Sequence, residues 1–317
     1  MNGEDTEDFF DNLMANSIDE FLRIVVDSEV PAVLAHYTTT DALLNILEKG
    51  ELWFSHARFL SDTTELEYGM NLMAEAFDIR DKELQDCGFI EGMKYHGLYP
   101  LKKYLSDLFD SSLSPYVFCL CENANQLSQW REYSATEGYS ICFSVRGLSS
   151  LKPELGAKKK IRLNSTLLCK VVYEKDRQME VANRILSVIV QRCNQLKKRG
   201  VIAEDKHTMD FLSIAGRAII DCVIKFKDNC FHEEREWRAY RWVAKEDESL
   251  LKYRKKGDSI MPYLVVKNPT HGALLPITLI YFSSSFDQQI RDKGLRMFCH
   301  SKGYEVNVIP NGFPPLR

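Results

Sequence analysis

The segment His232–Trp242, "HEEREWRAYRW", constrains this chain more than any other. Its spacing predicts a strand, yet it packs glutamates, arginines and two tryptophans into one short run. Successive strand side chains point to opposite faces, so Glu234 and Glu236 are expected on one face, with Arg235 and Trp237 on the other. Unpaired carboxylates and guanidinium groups are costly to bury. Either a charged ligand sits opposite those glutamates, or they form an ion-pair ladder with the arginines that fixes register.

The rest of the composition narrows the classes. With 317 residues, 45% of them hydrophobic, the chain can build a substantial core. A net charge of −4 supplies no global field for nucleic acid or anionic membranes. Local basic clusters at Lys158–Arg162, Lys197–Arg199 and Lys252–Lys256 read as solvated loops or helix ends. There is no signal-peptide pattern and no apolar run of membrane-spanning length. Nine cysteines without a paired framework predict reduced thiols and a cytoplasmic location. Cys119 and Cys121, and Cys230 near His232, lack zinc-like spacing and read as core thiols, so no metal site is expected.

Elements follow from periodicity. Residues 1–30 read as an N-terminal helical segment ended by Pro31. "AVLAHYT" and "ELWFS" are strands flanking a helix, "TTDALLNILEKG", with Thr40 or Asp41 as N-cap and Gly50 just past its end. Further strands are "YVFCLC", "YSICFSV", "LLCKVVYE", "YLVVK", "ITLIYFS" and "EVNVI". A last helix is expected from about Phe286 to Cys299. Residues 31–317 thus form one α+β domain with helical insertions near 63–112 and 176–229. Its split, mostly antiparallel sheet is flanked by helices. No dinucleotide-binding or Walker-type glycine loop is present.

Four polar islands adjoin these strands: "AHYTTT", "FSHARFLSDTTE", "SQWREYSATEGYSICFS" and the glutamate segment. Together with "LPITLIYFSSS" they resemble a bacterial family known as domain of unknown function 2971, in order from about Ala35 to Ser285. One departure is Ser61, where that family usually has Asn. A second resemblance is to ADP-ribosyltransferases of the histidine–tyrosine–glutamate class. It rests on a histidine ending an early strand, a Thr-capped helix and a glutamate opening a late strand. That resemblance implies an ADP-ribosyltransferase-like fold, NAD as substrate, and His36, a tyrosine and Glu236, with Glu234 as its alternative, as catalytic residues. His36 with Thr38 matches the first motif, and Tyr133 and Tyr139 both remain candidates for the tyrosine. Bacterial enzymes of this kind are often toxins or antiphage effectors, which implies a macromolecular acceptor, protein or nucleic acid, and partner proteins of a defence system.

The chemistry stands on the residue types alone. Cleaving the nicotinamide–ribose bond develops positive charge on the ribose, which a carboxylate at the 2′-hydroxyl stabilises. His36 would bond the adenosine ribose, Tyr37 or Tyr139 would offer an aromatic face, and Arg58 or Arg238 would meet the pyrophosphate as a planar fork. This arrangement requires His36 and Glu236 on one side of the sheet. In a second reading Asp62, Glu65, Glu234 and Glu236, with His36 or His56, hold Mg²⁺ for a nuclease or phosphohydrolase. A third is a non-enzymatic sensor or adaptor of a defence system. Structural roles compete: Trp130, Trp237 and Trp242 as core, and Asp62 with Glu65 as a capping pair.

Overall fold

A computed structural model describes residues 3–60, 64–111, 113–133, 138–153, 166–284 and 287–313. The chain runs through α1 (Gly3–Val25), β1 (Val33–Thr38), α2 (Thr40–Lys49), β2 (Glu51–His56), α3 (Thr64–Ile79) and α4 (Asp81–Asp86). Next come α5 (Phe89–Tyr95), α6 (Leu101–Ser111), β3 (Leu113–Cys121), α7 (Leu127–Tyr133), β4 (Tyr139–Ser144) and α8 (Val145–Ser150). β5 (Lys152–Pro153), β6 (Leu167–Lys170), α9 (Lys175–Lys198), α10 (Lys206–Val223) and β7 (Glu236–Ala244) follow. The chain closes with β8 (Leu251–Lys256), β9 (Ser259–Lys267), β10 (Ile277–Phe282), α11 (Gln288–Ser301) and β11 (Asn307–Pro310).

The fold is α+β, and it resolves into two compact units. The first, residues 1–27, 61–114 and 171–231, is helical. Within it α1 packs on α9 and α10, and α3 packs on both. Its interior holds charge as well as apolar groups. Lys227 Nζ lies 2.7 Å from Glu65 Oε1, both side chains buried. The Gln178 amide donates to the carbonyls of Val172 and Lys227 and accepts from Tyr68 Oη. Gly69 lets α3 approach α10 closely, since a Cβ there would stand 2.6 Å from the Val223 carbonyl oxygen.

The second unit, residues 28–60, 115–170 and 232–317, carries the sheet. Its strand order is β11-β10-β4-β1-β3-β2-β9-β5, with β7 beside β3 and β6, and β8 beside β9. Most pairings are antiparallel; β10 and β11 run parallel, with α11 between them in sequence. The sheet is open and mixed, as the absence of regular strand–helix alternation predicts.

Alternation along the strands sorts residues onto two faces. Leu34, Phe54, Phe118, Ile141, Phe143, Trp237, Ala239, Leu264 and Ile280 meet α2, α8 and α11 in the main apolar core. Leu43, Ile46 and Leu47 supply the α2 stripe, and each buried side chain contributes roughly 1.5–3 kcal/mol. The N-cap of α2 is Thr39 rather than Thr40 or Asp41: its hydroxyl accepts from Ala42 N. Gly50 closes α2 at φ 63°, the left-handed conformation that glycine adopts without strain.

Gly69→Ala should destabilise the protein by about 1–3 kcal/mol, because the added methyl group meets backbone that cannot turn away. Thermal unfolding measures this, and an unchanged midpoint would contradict the α3–α10 contact.

Candidate functional site at the seam between β1 and β3

Strand β1 leaves β3 almost at once. Among the described residues their register is the single pair Ala35↔Cys121. His36 lies at this seam, its Nδ1 2.9 Å from the Cys119 carbonyl and its ring 4.3 Å from that of Phe118. A carbonyl that a neighbouring strand would otherwise satisfy is thus met by a side chain. Burial, aided by the positive charge of Arg254, holds the imidazole down to about 4, so it is neutral near pH 7.

The opposite face bears a different cluster. Tyr37 Oη donates to the Asn123 carbonyl at 2.8 Å and accepts from Gln126 N at 2.8 Å. Burial pushes this phenol well above its ordinary value. Trp130, on α7, stands edge-on to Tyr37 at 5.3 Å and donates to Asn125 Oδ1. Tyr281 and Phe313 pack beside them, partly exposed. Gln126 Nε2 donates to the Glu233 carbonyl, and Cys121 Sγ to that of Glu234. Burial first, then the negative charges of Glu122, Glu234 and Glu236, raise the Cys121 thiol to about 12. Gln129 is 5% exposed, and its buried Nε2 has no hydrogen-bond partner among the described residues, nor has Gln126 Oε1. Such orphaned groups call for an explanation, because each normally costs about 1–3 kcal/mol.

The glutamate segment joins this cluster. Glu234 ends a short 3-10 turn and Glu236 opens β7. Arg235, between them, has φ 43°, so strand alternation begins at Glu236, not at Glu234 as the sequence suggested. A non-glycine residue in this region carries strain on the order of 1–3 kcal/mol. Both oxygens of Glu236 are held by Arg238, through Nε at 2.8 Å and Nη2 at 2.9 Å. Trp237 faces the other way and donates to Glu122 Oε1, which also pairs with Lys170 at 2.7 Å. Arg241 donates to the Leu151 carbonyl and to Thr166, and burial lowers it to about 10.

The expected site residues therefore divide. His36, on the Phe118 side, and Glu236, on the Cys121 side, lie on opposite faces of the sheet and are not brought together. Thr38 and Tyr139 pair across β1 and β4 on the His36 face, where the Arg291 guanidinium lies 5.4 Å from the Tyr139 ring. Tyr37 falls on the Glu236 face. Arg238 is engaged by Glu236, so the structure gives it a partner other than a pyrophosphate. Arg58 lies in the turn Ala57–Phe59, where its N–H donates to His56 Nδ1. Tyr133 ends α7, and its side chain lies outside the described residues, as does Asp62 entirely. Glu65 pairs with Lys227, and among the described residues no group of three or more His, Cys, Asp or Glu is placed to hold a metal. Trp130, Trp237 and Trp242 are buried. Sequence reasoning missed the Gln126–Gln129–Trp130 face, whose spacing of three and four marks one side of a helix.

Residues 129–239 match the model of a family described as Protein of unknown function (DUF2971), which supports that family resemblance over this stretch. The match contains the tryptophan–tyrosine island and most of the glutamate segment. Comparisons with curated proteins and with solved structures each returned no match.

Two outcomes follow. Because the folded-state value of His36 lies below that of an unfolded histidine, its contribution is complete above about pH 6.5 and is lost as pH falls towards 4. Stability of the native protein should fall by up to about 3 kcal/mol over that window, and His36→Gln should flatten this part of the profile. Arg238→Met should cost about 3–5 kcal/mol by stranding a buried carboxylate, while Glu236→Gln combined with Arg238→Met recovers much of it. Denaturant unfolding of the native protein and the two variants checks the pair.

Proposed function

We propose that this protein is an NAD-consuming enzyme of ADP-ribosyltransferase type, whose reacting ribose meets the sheet face bearing Tyr37 and the glutamate segment. The observation that carries the reading is the strained Arg235, set between two glutamates beside Tyr37, Gln126 and Cys121. Residues in such conformations cluster where a ligand or reaction needs them.

In this reading Glu234 is the reacting carboxylate because it directly precedes the left-handed Arg235 and its carbonyl meets Cys121 Sγ on the Tyr37 face; Glu236 is held by the Arg238 fork. The Glu234 charge opposes the positive charge that develops on the ribose as nicotinamide departs. The partly exposed rings of Tyr281 and Phe313 offer stacking surfaces. Gln129 Nε2 and Gln126 Oε1, a buried donor and a buried acceptor, complement a primary carboxamide. The histidine–tyrosine–glutamate arrangement, which needs His36 and Glu236 on one face, is given up in this reading: His36 shapes the seam and touches no substrate, and only the carboxylate chemistry is retained. The acceptor is a macromolecule, and the reading places the protein among toxins or antiphage effectors.

Incubating the protein with labelled NAD and cell lysate tests this. Release of nicotinamide and transfer of label are expected, with Glu234→Gln lowering turnover by 10²-fold or more and leaving the unfolding midpoint nearly unchanged. Glu236→Gln should instead lower the midpoint. Full activity in both variants would overturn the assignment, as would chelator-sensitive phosphodiester cleavage without NAD turnover.

A further inference from the structure

Cys87 and Cys193 are distant in sequence and meet inside the helical unit. Cys87 directly follows α4, Cys193 lies near the end of α9, and they are only 4% and 8% exposed. Side chains hold α4 along α9 at both ends. Arg80 Nη1 donates to the Asn183 carbonyl at 3.0 Å and to Ser187 Oγ at 2.7 Å. Lys197 Nζ donates to the Asp86 carbonyl at 2.9 Å. Cys193 stands one turn before Lys197 and Cys87 one residue after Asp86, which brings the two thiols to the same contact. They share a hydrogen bond.

The pair is asymmetric. The hydrogen bond from Cys193, opposed by burial and aided by the Phe89 N–H and the Lys197 charge, holds Cys87 below the ordinary thiol range. The same bond, then burial and the Cys87 charge, holds Cys193 well above it. One sulfur therefore forms a thiolate while its neighbour keeps a proton. When Cys87 is neutral its Sγ donates to the Leu84 carbonyl at 3.4 Å. Other buried thiols go the opposite way: burial is the first cause that raises Cys121, Cys142 and Cys299. Two ordinary core thiols would fill the same space, but packing alone gives neither a reason to ionise.

We propose that Cys87 and Cys193 are a peroxide-reactive pair that closes into a disulfide between the α4–α5 junction and α9. The Cys87 sulfur attacks one oxygen of a small hydroperoxide. The O–O bond breaks, and the departing hydroxide or alkoxide takes up a proton as water or alcohol, leaving a sulfenic acid on Cys87. Cys193 then attacks the sulfenic sulfur: the S–S bond forms, the S–O bond breaks, and the released hydroxide leaves as water with the Cys193 proton. The two thiols give up two electrons in all, and the peroxide accepts them. Oxidation is read without NAD, so it stands or falls apart from the reading above.

The test adds limiting hydrogen peroxide to the reduced protein, blocks the remaining thiols with iodoacetamide and maps unreduced peptides by mass spectrometry. A peptide linking Cys87 to Cys193 should form first, about tenfold or more faster than oxidation of Cys230, the exposed thiol that accessibility alone would favour. Cys193→Ser should leave a sulfenic acid on Cys87 that dimedone traps, and Cys87→Ala should leave Cys193 unlabelled. A thiol reductant should restore both thiols. The proposal is overturned if Cys230 reacts first or if no linked peptide forms. It is equally overturned if dimedone labels Cys193 in the absence of Cys87 as fast as it labels Cys87 in the absence of Cys193. The linked peptide comes from the native protein, so it decides even where a variant misfolds.

Discussion

The bidentate contact between Glu236 and Arg238 sets the arrangement of the candidate site. The two residues are neighbours on one face of β7, and both are nearly removed from water. Neither charge is tolerable there alone. Once they pair, Trp237 and Ala239 must point to the apolar side, where they join the main core. A one-residue slip of β7 would drive Glu236 and Arg238 into that core and expel Trp237. The pair therefore specifies register, and it holds the left-handed Arg235 and Glu234 at the end of β3.

The seam between β1 and β3 is the complementary constraint. A sheet that parts after one residue pair leaves backbone carbonyls without strand partners. His36 meets one of them at Cys119 and stays neutral because the surroundings penalise its charge. A neutral imidazole can fill such a gap at modest cost; a lysine or arginine would bring a charge with it. The same histidine that looks catalytic in the sequence thus has a sufficient structural reason to be there.

This contrast shows what the sequence could reveal. Periodicity placed β1, α2, β2, β10 and β11 well, because each buries an apolar stripe; β8 was missed, its Lys252–Lys256 run having read as a solvated loop or helix end. The mixed α+β class followed from their irregular order. The glutamate segment was recognisable as unusual, but the chemistry of Glu236 was not, because its partner lies only two residues away and alternation permits either a ligand or an ion pair. Arg235 defeated the alternation rule outright: nothing in its side chain announces φ 43°. Tyr37, Gln126 and Trp130 could not be joined from sequence, since the hydrogen bond linking Tyr37 to Gln126 spans a separation of 89 residues.

The two faces of the sheet are therefore electrostatically unlike. One is filled by α2, α8 and α11 and offers little to a polar ligand. The other collects Tyr37, the orphaned amide atoms of Gln126 and Gln129, the glutamate segment and, three strands beyond β3, Arg254 of β8. Glu234 and the Glu236–Arg238 pair lie at the Cys121 end of this surface, and the cations of β8 at the other. A carboxylate at the first end stabilises positive charge that develops beside it. Fixed charges placed in this way give one face two electrostatically distinct ends, because their field extends beyond the side chains that carry them.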